Sequence, residues 1–201
     1  MTYTLLDAAK ARFSGYDAPA FNVLERTGLD VSLRAELIDL PRETWRTHAN
    51  YAGQAEHWQQ IHGAMLANSA HVTRALAAIA EGRVGQAQMP ELSAQIRETA
   101  AHFTEHAHHH HRLEDHHIFP GFVRARPALA RPLALLDADH LVLDASIQAF
   151  ERALRDFPDD TAPASAFDRL AETAGRVDRI MQRHIADEEE IVIPTVLAGE
   201  P

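Results

Sequence analysis

Two stretches of the chain carry one chemical pattern. His110 is followed four residues later by Glu114 and six further on by Pro120, and His184, Glu188 and Pro194 repeat this spacing 74 residues downstream. A single histidine precedes each copy: His62 stands 48 residues before His110, and His140 stands 44 before His184. Residues four apart on a helix project from one face about a turn apart, so each pair presents an imidazole and a carboxylate together. That combination is metal-ligand chemistry. The first pair lies within His102–Pro120, which holds more than half of the chain's 14 histidines. Alone, such a run reads as a low-complexity tract that takes up metal loosely. A tract has no reason to be echoed in register so far downstream, so the run is read as a core helix in which only a few histidines are ligands.

Four helices must position these residues. The first is predicted over about 41–81. Unbroken it would be about 60 Å long at 1.5 Å per residue, so a kink is expected near Asn50–Gly53. Its inward stripe is Trp58, His62, Met65, Ser69, Val72, Leu76 and Ile79, stepping by three and four. The second, about 90–118, carries Leu92, Ile96, Thr99, Phe103, His106, His110, Leu113, Glu114 and His117, with Pro120 and Gly121 predicted to stop it. The third, about 128–157, has the cleanest pattern: Leu133, Leu136, His140, Leu143, Ile147, Phe150 and Leu154. The fourth, about 164–197, carries Leu170, Ala174, Val177, Met181, His184, Glu188 and Ile191. No stretch alternates as a strand does. The expected fold is all-α, an up-down-up-down four-helix bundle over 45–201. Residues 1–44 are read as an irregular, short-helical extension packed on the bundle, a lid or dimer contact being the sharper alternative.

His62, His110, Glu114, His140, His184 and Glu188 all fall on the apolar stripes. Six ionisable groups in one core would be costly if left unpaired. A bound metal removes the cost, because neutral imidazoles and carboxylates become ligands. Four histidines and two glutamates exceed one tetrahedral site and suit two ions with carboxylates between them. Iron, manganese and zinc are all compatible with a set of nitrogen and oxygen donors.

Bulk properties narrow the field. The 201 residues suit one domain, and 46% hydrophobic with 24% charged residues is an ordinary globular balance. There is no cysteine, which excludes disulfides, thiolate zinc sites, iron–sulfur clusters and c-type haem attachment. The net charge of −10 argues against nucleic acid or an anionic membrane as a main partner. No run of about 18 apolar residues occurs, so neither a membrane span nor a signal peptide is expected, and the cytoplasm is the default location.

Through His62, His110-x-x-x-Glu114, His140 and His184-x-x-x-Glu188, with DHHIFP and EEIVIP closing the two metal helices, the chain resembles the hemerythrin-like HHE cation-binding domains over about residues 45–197. The resemblance implies a non-haem di-iron centre, two oxo- or hydroxo-bridged iron ions, that binds or senses O2 or NO, with redox activity possible. In that reading His62, His110, His140 and His184 are terminal ligands and Glu114 and Glu188 bridge. A di-iron enzyme consuming peroxide, or an iron or zinc store without redox role, are the alternatives. One departure matters. Oxygen-carrying relatives have another histidine one turn after the position of His140, and here Asp144 stands there. This weakens the case for a reversible oxygen carrier, and Asp144, His106 or His111 are the candidates for a seventh ligand. Of the remaining histidines, His106 and His117 are expected on the metal-facing side, and His102, His108, His109, His111 and His116 on flanks or surface. Asp187, Glu189 and Glu190 read as a solvated face.

Overall fold

The computed structural model describes residues 4–199. Among these residues there is no strand, and four long helices form the bundle: α3 (Glu56–Ala80), α4 (Met89–Leu113), α6 (Ala130–Arg155) and α7 (Asp168–Leu197). Each packs on two others, α7 on α3 and α6, α4 on α3 and α6, which closes the ring of an up-down-up-down bundle. Shorter helices α1 (Leu5–Arg12), α2 (Val31–Arg34) and α5 (Phe119–Ala125) complete the fold. The core is continuous from Ala9, Phe13 and Tyr16 of the N-terminal segment to Leu197.

The chain bends where expected, but the first bundle helix starts at Glu56 rather than near Pro41. Residues Arg42–Thr47 form a 3₁₀ turn instead, and the backbone breaks at Ala52 and Gly53. Gly53 adopts φ 112°, a conformation that glycine alone takes readily, and this ends any continuous helix. Beside the break, the Asn50 side-chain amide donates to the Leu197 carbonyl at 2.8 Å and caps the C-terminus of α7.

Pro120 and Gly121 do not stop the second bundle helix. A π-helical turn, Glu114–Ile118, follows α4, and α5 then continues to Ala125 with Pro120 in its first turn. Proline costs little there, since a first-turn N–H lacks an intrahelical acceptor anyway. The inward stripe of α4 also differs from expectation. It passes through Ser93, Ile96, Ala100, Phe103, Ala107 and His110, while Thr99 and His106 are half-buried and Leu113 is exposed. The small residues let α4 approach its neighbours closely, and a search for large apolar side chains overlooks them.

Residues 4–41 drape over α6 and α7. Thr4 and Asp7 cap α1 reciprocally, at 3.2 and 2.9 Å, and α1 packs on α6. Arg26 enters the core and ion-pairs with Asp187 at 2.8 Å and with Asp139, which it also contacts through a second nitrogen at 2.9 Å. Asp187 and Glu189, expected on a solvated face, are therefore buried, and half-buried Glu190 pairs with Arg34 at 2.8 Å. The extension covers that side of α7.

Candidate metal centre

The bundle brings all six sequence-predicted residues to one place in its core, and all six are buried. They converge as two adjoining groups. His62, His110, Glu114 and Glu188 form one, with ligand atoms all within 4.8 Å of one another. His140 and His184 form the other, together with His111. Within the first, the Nε2 atoms of His62 and His110 are 3.2 Å apart, and His110 Nε2 lies 2.9 Å from Glu114 Oε1. Within the second, the Nε2 atoms of His140 and His184 are 3.1 Å apart. Donors held at about 2.1 Å from one ion stand roughly 3–3.4 Å from each other, so these separations fit shared ions.

Glu114 joins the groups. Its Oε1 faces His110, and its Oε2 faces His140 Nε2 at 3.3 Å. Glu188 does likewise through one oxygen, Oε2, at 3.4 Å from His62 Nε2 and 3.6 Å from His184 Nε2, while its Oε1 accepts the Trp58 indole N–H at 2.7 Å. Both oxygens of Glu114 and Oε2 of Glu188 are buried without a well-aligned hydrogen bond among the described residues. An unsatisfied buried carboxylate oxygen costs several kcal/mol unless a cation meets it, so three in contact with imidazole nitrogens mark a cation site.

The imidazoles are oriented from behind. Nδ1 of His140 meets Asp115 at 2.7 Å, that of His111 meets Asp144 at 2.9 Å, and those of His62 and His184 meet Glu189 and Asp139 at 3.4 Å each. A carboxylate on Nδ1 fixes the tautomer that leaves Nε2 free to ligate, a support typical of metal-bound histidine. The supports are themselves held: Glu189 by Arg42 at 2.6 Å, and Asp139 by Arg26 and by the Tyr16 hydroxyl at 2.6 Å.

The electrostatics favour positive charge. Burial acts to lower the His62 pKa, but Glu188, Glu189 and Glu114 outweigh it and raise it to about 10. Burial likewise opposes charge on His140, yet Asp115 and Glu114 hold its pKa well above the usual imidazole value. Burial pushes the Glu114 carboxyl up, but His110 and His140 hold it well below the carboxylate range. His111 goes the other way. Burial and the neighbouring His140 lower it to about 4 against the pull of Asp144, which keeps its ring neutral.

Four placements narrow or correct the sequence reading. His111, expected on a flank, is buried with its ring stacked 4.4 Å from that of His140. On a helix, successive residues diverge by about 100°, and Glu114 falls between the directions of His110 and His111. Because α4 lies between α3 and α6, both directions point inward, an arrangement that a single stripe cannot represent. Asp144 stands behind His111 and also contacts His108 at 3.3 Å, so it supports a histidine rather than joining either group. His106 joins neither group. His117 is exposed because the π turn takes an extra residue and shifts the helical phase beyond Glu114; Phe119 faces His140 instead, ring to ring at 5.7 Å. Sequence reasoning also missed Asp115, Asp139 and Glu189 as supports. Each is the immediate neighbour in sequence of a candidate ligand, and that adjacency is the signal that could have found them.

No curated protein and no solved structure matches the chain. A family model does, the hemerythrin HHE cation binding domain, over residues 54–196. That range spans α3, α4, α6 and most of α7 and includes every candidate ligand, and the chain belongs to the hemerythrin HHE cation-binding domain family.

Proposed function

We propose that the centre holds two iron ions and that the protein binds or senses O2 or NO there. The observation that carries this reading is Glu114, whose two oxygens face separate groups of histidines at 2.9 and 3.3 Å. A carboxylate so placed supports two ions, one facing each oxygen. His62, His110 and the two glutamates would hold the first; His111, His140 and His184, with the same glutamates, the second. Two redox-active ions in this setting would supply binding of O2 or NO and electron exchange with peroxide.

The donor sets are unequal. The His62 side offers two imidazoles and the His140 side three, so the first ion has more room for a small ligand. Trp58 walls that side, its ring 6.1 Å from His62 and 6.4 Å from His110, with Phe122 behind it at 6.2 Å. These rings cover that side of the centre with apolar surface. His111 also bears on the missing histidine at position 144. The imidazole that oxygen-carrying relatives take from the third bundle helix is supplied here from α4, and Asp144 orients it.

Elemental analysis with a visible spectrum in air, on protein purified without a nickel column, tests the reading. Two irons per chain, with near-ultraviolet absorption that responds to NO, is the expected result. Zinc, or folded protein without metal after growth in ample iron, would overturn it and leave cation storage.

A further inference from the structure

We propose that the outer face of α4 carries a second, exposed site for a divalent transition-metal ion, with the imidazoles of His102 and His106 as its donors. His102, His106 and His110 follow one another at intervals of four. Each such step advances about 40° around a helix of 3.6 residues per turn. The row accordingly winds from exposed His102 through half-buried His106 to buried His110. Only its inner end belongs to the buried centre.

The rings of His102 and His106 have centroids 6.1 Å apart with planes at 63°. Nitrogens bonded to one ion at about 2.1 Å place imidazole centroids roughly 5–6.5 Å apart. The pair is thus within chelating distance on a rigid helix and needs only small side-chain rotations. By comparison, His62 and His110 in the buried centre have centroids 5.2 Å apart. A surface hollow of about 380 Å³ adjoins the pair, lined by His102, Glu105, His106, His109 and Arg112. Glu105 and His109 line the same hollow without joining the pair as a ligand group, and Arg112 stands at its rim. Partial burial and the neighbouring histidines lower the His106 pKa, so its ring is in the neutral, ligating form at neutral pH. Paired imidazoles without sulfur suit Cu²⁺, Ni²⁺ and Zn²⁺, with Cu²⁺ held most strongly.

Zinc calorimetry at neutral pH tests the site on full-length protein whose buried centre has first been filled with metal. The wild type should take up one more Zn²⁺ per chain than the His102→Ala/His106→Ala variant, whose circular dichroism should be unchanged because the positions are exposed or half-buried. Equal uptake by the two proteins would overturn the proposal. The Glu114→Ala variant should keep the extra binding event while losing metal from the buried centre; disappearance of the event there would assign it to the buried centre and also overturn the proposal. The comparison reads a difference in zinc, so it stands whether or not the buried centre proves to hold iron.

Discussion

Glu114 is fully buried, with both oxygens turned toward imidazole nitrogens. Its replacement by glutamine preserves volume but removes the charge and one oxygen. The Glu114→Gln protein is expected to lose at least one of two ions per chain, read by elemental analysis after dialysis; unchanged metal content would argue against a shared carboxylate. Around it the two halves of the chain are related by a pseudo-twofold pattern. Asp115, after Glu114, supports His140 of the other half, and Glu189, after Glu188, supports His62. The pattern breaks where His111 corresponds to Ile185, Asp144 to Leu66 and Asp139 to Ile61, all on the side of the three-histidine group. This makes the two positions chemically unequal. Asp144→Asn should therefore weaken one ion selectively, by about 10–100-fold as for other lost supports of metal-bound histidine. Competition with a chelator would reveal one weakened and one unchanged ion, and a uniform loss of both would contradict the inequality.

At the level of elements, the long helices were legible because three and four residue steps of apolar side chains persist over many turns, as in Leu133 to Phe150 of α6. The repeated His-x-x-x-Glu was legible for the same reason, since it falls on that period. His111 was legible only as one of three candidates for a seventh ligand, because it lies about 100° from His110 and off the stripe. The π turn at Glu114–Ile118 has no residue signature, and it moved His117 outward while bringing in Phe119. The N-terminal 40 residues have no period at all, since they are held by individual anchors such as Arg26 and Tyr16. The break before α3 was visible in outline, and its structural reason is Gly53. A Cβ at Gly53 meets nothing within 4 Å, so the cost of Gly53→Ala comes from φ alone, about 1–3 kcal/mol. Urea unfolding should show that loss with metal content unchanged. A neutral effect would mean that the turn relaxes to a conformation open to any residue.

For the whole molecule, the extension and the bundle share one buried ionic network, Arg26 with Asp139 and Asp187, reached also by Tyr16 and Arg183. Removing the cation by Arg26→Met strands Asp139 without a positive partner in the core, at a cost of about 3–5 kcal/mol. The denaturant midpoint should fall accordingly, and a fall no larger than that of an exposed substitution would show that the network adds little. Asp139 has a second role, because it also contacts Nδ1 of His184. The chain between Tyr16 and Arg26 is thus one carboxylate away from a candidate ligand. Thermodynamic reciprocity then applies: whatever factor metal adds to the docking of this segment, the docked segment adds to metal affinity. Couplings of this kind commonly span about 5–150-fold. Stripping the metal should hasten protease cleavage between residues 17 and 30, and Arg26→Met should loosen the metal by a matching factor. An effector that lifted the N-terminal segment from α7 would in the same act weaken the centre's hold on metal, and loss of metal would in turn loosen the segment by the same factor.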